Sequence, residues 1–243
     1  MAEFKAIILC AGQGKRLAPL TENRPKCLLP VGPKSILEHI LDNLEEAELE
    51  EIILVTGFKS QSVEDLVNGK RNGRFRFVLN ERFSATNTAY SLNLALRTVD
   101  SDFVLINGDV LFDKAILMEL VGHPQKNCVV VDRRVALDEE EVKVIANGNK
   151  LVRIGKELNP EDCLGEAIGI NKLSRETIPS LRDIFDELAA RKEYHHFFET
   201  GIDRLVSRDF RFEIQLTERP WIEIDTIEDY YSANNDIYKK LSA

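Results

Sequence analysis

Between Ala6 and Cys10 the chain reads Ala-Ile-Ile-Leu-Cys, and it turns at once into Gly12-Gln13-Gly14-Lys15-Arg16. A buried apolar strand that ends in a glycine-rich loop asks for an α/β sheet, with loop amides lying open at the carboxyl end of a strand. Such amides approach an anion closely. From Gly12 to Lys34 there are five Lys/Arg (15, 16, 24, 26 and 34) against one acid, Glu22, a local balance of +4 in a chain of net charge −9. A cationic loop on an acidic protein predicts an anionic ligand, and a polyphosphate fits best. A dinucleotide fingerprint needs a third glycine near Leu17, and a Walker loop needs Ser or Thr where Arg16 stands, so neither template applies.

The remaining first half alternates strands and helices. Ser35-Ile36-Leu37-Glu38 is a capping box opening a helix to about residue 46. Strands are expected at 51–56, 74–79, 103–107 and 128–131, and helices at 60–68, 88–98 and 114–121. This rhythm implies a parallel sheet with right-handed crossovers. The second half reads differently. Residues 141–146 and 150–154 flank Asn147-Gly148-Asn149 as a β-hairpin. A strand at 166–172, helices at 175–192 and 197–206, strands at 210–216 and 221–224 and a final helix to 241 follow. No linker rich in Pro, Gly or Ser divides the chain, which predicts a single domain over 1–243: α/β, three-layered and Rossmann-like, with a mixed, mostly parallel sheet and a hairpin extension.

Asp109 and Asp225 each stand just after an apolar strand, in Phe-Val-Leu-Ile-Asn-Gly-Asp and Trp-Ile-Glu-Ile-Asp. Magnesium is held by few carboxylates together with phosphate oxygens and water, so two strand-end aspartates are its candidate ligands. Other chemistries are poorly served. Cys10, Cys27, Cys128 and Cys163 have no zinc spacing and read as reduced thiols, and the four histidines form no metal set. The acidic balance argues against nucleic acid. No apolar run approaches a membrane span, and Met1-Ala2-Glu3 leads straight into the first strand without a signal peptide, so a cytoplasmic location is expected.

The run from Leu9 to Val31, LCAGQGKRLAPLTENRPKCLLPV, resembles the signature L-x-A-G-x-G-x-R-L-x-P-L-T-x-x-x-P-K-x-L-L-P-V of the nucleotidyltransferases. These join a nucleoside triphosphate to a phosphorylated sugar or alcohol and release pyrophosphate. The resemblance implies the nucleotide-diphospho-sugar transferase fold, with a nucleotide-binding half at about 1–125 and an acceptor-binding half at about 126–243. It implies that Leu9, Ala11, Gly12, Gly14, Lys15 and Gly108 hold the nucleotide, that Arg16 steadies the leaving pyrophosphate, and that Lys26 contacts the α-phosphate. It also implies that Asp109 and Asp225 bind Mg²⁺. The nucleophile is already an ionised phosphate monoester, so catalysis is positioning and charge neutralisation without a covalent enzyme intermediate.

Asn87-Thr88-Ala89-Tyr90-Ser91-Leu92 looks like the N-x-x-Y-S-L segment of phosphocholine, aminoethylphosphonate and inositol-1-phosphate cytidylyltransferases. So do Ile154-Gly155-Lys156, Gly165-Glu166-Ala167-Ile168-Gly169, Phe198-Glu199 and Trp221-Ile222-Glu223-Ile224-Asp225. This branch implies CTP as the favoured nucleotide, with Asn87 and Ser91 near it, and Lys156, Glu166, Glu199 and Trp221 about a small phosphorylated alcohol or amino-alcohol. An aromatic cage of Tyr90, Tyr194, Phe198 and Trp221 would suit choline, whereas carboxylates would suit inositol hydroxyls. A sugar-1-phosphate nucleotidyltransferase using UTP, GTP or dTTP is the alternative, and a non-catalytic nucleotide sensor the second. Oligomeric state is left open.

Overall fold

The computed structural model describes residues 4–49, 51–70, 74–133 and 137–242. The first strand, β1 (Lys5–Cys10), is central: it pairs in parallel with β4 (Glu51–Thr56) on one side and β6 (Phe103–Asn107) on the other, and β5 (Arg74–Leu79) adds outside β4. Burial on both faces explains its unbroken apolar run. Ala6, Ile8 and Cys10 enter one core and Ile7 and Leu9 the other, as the two-residue period of a strand dictates.

The first core is covered by α1 (Ile36–Glu46), α2 (Ser60–Lys70) and α4 (Lys114–Gly122). The second is covered by α3 (Thr88–Leu96), α5 (Ile178–Ala190) and α6 (Glu199–Val206). The three layers follow from this division. Ser35 caps α1, accepting from Glu38 N while Glu38 returns a bond to Ser35 N at 2.8 Å.

Beyond β6 the pairing changes. The long strand β11 (Gly165–Leu173) lies antiparallel to β6 and to β8 (Cys128–Asp132); β12 (Glu213–Thr217), parallel to β8, then leads to the hairpin β9 (Lys143–Asn147) and β10 (Lys150–Gly155). The nine-stranded order is β5-β4-β1-β6-β11-β8-β12-β10-β9, and β9 also pairs with the start of β11, so the last five strands close on themselves. One sheet thus draws on both halves of the chain. The expected strand at 210–216 begins later, at Glu213, because the backbone carbonyls of Arg211 and Phe212 are taken by Asn127 Nδ2 and Leu151 N.

Two short ribbons lie apart from the main sheet. β2 (Pro30–Val31) pairs with β3 (Lys34–Ser35), and β7 (Val110–Phe112) pairs with β13 (Trp221–Glu223). Neither β7 nor the β2–β3 pair is foreseen by periodicity, being two or three residues long per strand. The expected final helix is interrupted: α7 (Ile227–Ser232) passes through a π-turn at Ala233–Ile237 before α8 (Tyr238–Leu241). The turn accompanies a bond from Gly32 N to Asn234 Oδ1 of 3.1 Å, which ties this segment to the β2–β3 ribbon.

Candidate active site

The carboxyl ends of β1 and β6 lie side by side, and the loops that leave them build the site. Gly14 has φ +71°, and a Cβ added there would stand 3.0–3.2 Å from the side-chain carbons of Lys26. Glycine is therefore needed twice, for the left-handed backbone and for room beside the lysine stem. Thr21 Oγ1 donates to Gly14 O at 2.7 Å and fixes the loop from behind. Lys26 itself follows Pro25 at the start of a 3₁₀ turn, Lys26–Leu28, and is only 7% exposed.

Asp109 and Asp225, 116 positions apart in sequence, are brought together by the β7–β13 ribbon. Glu223 pairs with Val110, and Ile224 N donates to Asp109 O at 3.1 Å. The Lys26 ammonium sits between the two carboxylates, donating to Asp109 Oδ2 at 2.6 Å and to Asp225 Oδ1. Arg16 reaches Asp225 Oδ2 at 2.6 Å and Glu140 Oε2 at 3.3 Å. Burial would push the Lys26 ammonium down, but Asp109 and Asp225 hold it above its ordinary value. Burial would likewise raise the Asp225 carboxyl, and Lys26 and Arg16 bring it below its ordinary value. A buried cation is tolerated because two anions flank it.

A third carboxylate joins them. Oxygen atoms of Asp109, Glu223 and Asp225 lie within 4.8 Å of one another, and Asp109 Oδ1 is buried without a hydrogen-bond partner among the described residues. Three hard oxygen donors with one lone pair uncommitted fit a divalent cation such as Mg²⁺. Burial, with Asp109 and Asp225 close by, pushes Glu223 up to about 8. The same cause raises Glu199 to about 7, against the lowering effect of its own backbone N–H and of Lys156.

The arrangement surrounds a cavity of about 470 Å³, a size suited to a small ligand. Of the residues singled out from sequence, Leu9, Gly12, Gly14, Lys15, Arg16, Lys26, Asn87, Asp109, Lys156, Glu199 and Asp225 line it. Ala11 and Gly108 are neighbours in the chain that do not: Gly108 allows close packing, since a Cβ there would meet Leu9 O at 2.7 Å. Ser91 is buried and accepts from Asn80 Nδ2 at 3.0 Å, so it stabilises the loop before α3 and does not face the cavity. Glu166 is buried on β11 beside Asp132 and likewise does not line the cavity.

The expected placing of Trp221 is corrected. It is 6% exposed, packs in the first core, and donates from Nε1 to Asp132 Oδ2 at 2.7 Å. Phe198 is wholly buried in the second core. The four-aromatic cage is not assembled, because Trp221 packs in the first core with Asp132 on its N–H and Phe198 in the second. Sequence reasoning also missed residues that do line the cavity, among them Asn107, Glu140, Phe197 and Glu223. Asn107 and Glu223 carried a usable signal: each stands two positions before its aspartate, on the same face of its strand.

The family described as Nucleotidyl transferase matches residues 5–139, more than half of the chain, and the chain belongs to that family. It is 30% identical to a "Bifunctional protein GlmU" of Methanococcus maripaludis over 97% of this chain and 55% of that protein. The chain thus spans about half the length of the curated relatives with which it first aligns. It is 24% identical to the CTP:phosphoglutamine cytidylyltransferase of Campylobacter jejuni, over 93% of this chain and 97% of that one. Among solved structures, the inositol-1-phosphate CTP transferase from T. maritima superposes with a TM-score of 0.85 at 23% identity, covering 100% of this chain and 96% of that chain. The mixed α/β architecture is that of the nucleotide-diphospho-sugar transferases.

Two predictions follow from the placing of these side chains. Trp221→Ala removes a core indole and should cost about 3–5 kcal/mol of stability in denaturant unfolding, as buried aromatic truncations do. Unchanged stability would return Trp221 to the surface. For Glu223, the folded metal-free protein keeps a proton up to about pH 8 that the unfolded chain sheds near its ordinary value of 4.5. The native state binds more protons in this window, so stability falls as pH rises from 4.5 to 8. Glu223→Gln abolishes that loss: in chelator, its melting temperature should gain on the wild type steadily from pH 5 to pH 8. A gap independent of pH would mean Glu223 is ionised throughout.

Proposed function

We propose that the chain is a magnesium-dependent cytidylyltransferase. It joins CTP to a small phosphorylated alcohol or amino-alcohol, giving the CDP-linked product and pyrophosphate. The observation that carries this reading is the convergence on one cavity of Lys26, Arg16, Asp109 and Asp225 with the Gly12–Lys15 loop. These groups match what the chemistry requires: the acceptor phosphate is already an anionic nucleophile, and the protein's task is to hold two anions together and neutralise charge at the α-phosphate.

In this reading the loop amides from Gly12 to Lys15 cradle the triphosphate, with Leu9 and Asn87 beside the nucleoside. Arg16, half-exposed at the mouth, meets the leaving pyrophosphate. Lys26, buried and fixed in direction by its two carboxylates, meets the α-phosphate. Asp109 and Asp225, with Glu223 at hand, would hold the metal ion. When bound, that ion supplies Lewis-acid neutralisation of the α-phosphate. Lys156 serves the acceptor phosphate. CTP is favoured by the names of the Campylobacter relative and the T. maritima neighbour, and use of a free nucleoside triphosphate accords with a cytoplasmic location. No described helix is long and apolar enough to cross a membrane.

A second reading, a sugar-1-phosphate nucleotidyltransferase, is favoured by the 30% identity to the GlmU protein over nearly the whole chain. One assay separates the two: pyrophosphate release with each of the four NTPs, Mg²⁺, and a panel of phosphorylated alcohols, amines and sugars. Fastest release with CTP and a non-sugar acceptor is expected. A UTP, GTP or dTTP optimum with a sugar phosphate would move the protein to the second reading, and nucleotide binding without pyrophosphate would make it a sensor. Asp109→Asn and Asp225→Asn should fold and lose kcat by on the order of 10²–10³, the effect of removing one electrostatic stabiliser. Retention of the wild-type rate by either variant would remove that aspartate from the metal site.

A further inference from the structure

The acceptor side of the cavity offers hydrogen-bond acceptors in place of an aromatic cage. Glu199, 4% exposed, lines the cavity at the start of α6, and its Oε2 is buried without a hydrogen-bond partner among the described residues. Asn107 lines the same cavity at the end of β6, and its Oδ1 is buried and unpartnered in the same sense. Gly169, at φ +75°, leaves room for the amide from the acceptor half: a Cβ there would stand 2.6 Å from Asn107 Nδ2. Buried oxygen acceptors left unpaired are costly, and a ligand that donates to them recovers that cost.

The aromatic rings nearby are already committed. The Lys156 ammonium lies over Phe197 at 4.7 Å from its centroid, and the Arg82 guanidinium covers Tyr194 at 4.2 Å and Tyr90 at 5.7 Å. Phe198 and Trp221 are core residues. Phe83 also lines the cavity, but it belongs to the first-half segment between β5 and α3, and one ring is not a cage. A quaternary ammonium has no N–H to give and needs several free aromatic faces. It would leave both oxygens unpaired and find no such faces among the described residues.

We infer that the acceptor's head group carries N–H or O–H donors, as a phosphorylated primary amine or polyol does, and that Glu199 and Asn107 select it against quaternary ammonium acceptors. This inference rests on the nucleotidyl-transfer reading above and narrows it. The two donor sources differ in one respect. A primary ammonium requires the carboxylate charge of Glu199, whereas a hydroxyl also donates to the neutral amide oxygen that Glu199→Gln would leave.

The test compares phosphoethanolamine, inositol 1-phosphate and phosphocholine under saturating CTP and Mg²⁺. In parallel, thermal stabilisation by CDP-ethanolamine and by CDP-choline is measured, which needs no turnover. The better of the two donor-bearing acceptors should exceed phosphocholine in kcat/KM by about tenfold or more, the consequence of leaving a buried acceptor unpaired. Glu199→Ala should raise the KM for that acceptor about tenfold and leave the KM for CTP unchanged. Glu199→Gln, nearly isosteric, should do the same for an amine and much less for a polyol, and it serves alone if the alanine variant does not fold. Equal or better use of phosphocholine overturns the inference. So does an acceptor KM unmoved in Glu199→Ala or, for an amine, in Glu199→Gln, or stabilisation by CDP-choline as large as by CDP-ethanolamine. Absence of pyrophosphate with every nucleotide and acceptor overturns the parent reading, and the product-binding comparison still decides this one.

Discussion

A buried ammonium held between two carboxylates organises this molecule. Lys26 carries a full charge at 7% exposure, and that is stable only because Asp109 and Asp225 are delivered to it from distant parts of the chain. Each delivery has its own structural cause. The lysine stem passes under a glycine that leaves it room. Asp109 follows a central strand beside β1, and Asp225 is drawn in by the ribbon with β7. Losing both carboxylates would leave a buried charge unpaired, which is why the loops of the first half and the final strand of the second form one electrostatic unit.

That unit also explains what the second half contributes. β11 places its start against both β8 and β9, and the closed group of strands brings Ala167, Val142 and Lys156 to the wall of the cavity. The C-terminal segment reinforces the arrangement. Thr226, directly after Asp225, caps α7 through Asp229, and further along the same segment Asn234 and Tyr238 pack on Gly32 of the β2–β3 ribbon that follows Lys26. One stretch of chain therefore holds the backbone of Asp225 and braces the ribbon that follows Lys26.

Much of this was legible in the sequence. β1, β4 and β6 are written as unbroken apolar runs because both faces are buried, and the capping box at Ser35 marks the start of α1 to the residue. Strand-end position made Asp109 and Asp225 candidates, and the family resemblance made them the expected metal ligands. What escaped was decided by tertiary packing. Trp221 is an aromatic close in sequence to a site aspartate, yet it packs in the core, where Asp132 satisfies its N–H. Ser91 falls within a family-like segment and is spent on Asn80 inside the protein. Glu223 escaped because a single acid in an apolar strand reads as an exposed position. Its spacing of two from Asp225 was the unused signal, and the ribbon with β7 brings it beside Asp109 as well.

The free thiols beside the site complete the chemical picture. Cys10 ends β1 and Cys27 follows Lys26, so both stand next to residues assigned to the nucleotide, and both are buried. Cys10 is pushed well above its ordinary value by a hydrogen bond with Cys27 and by burial. A thiol so placed stays protonated at neutral pH and is a poor nucleophile. Gly108 packs against its sulfur, with room for no Cβ. These cysteines therefore serve as small apolar packing beneath the loop. The cavity above them presents Arg16, Lys26 and Lys156 against Asp109, Glu199, Glu223 and Asp225, charges of both signs able to hold anions and a cation together. Transfer between two bound phosphates asks for that and nothing more.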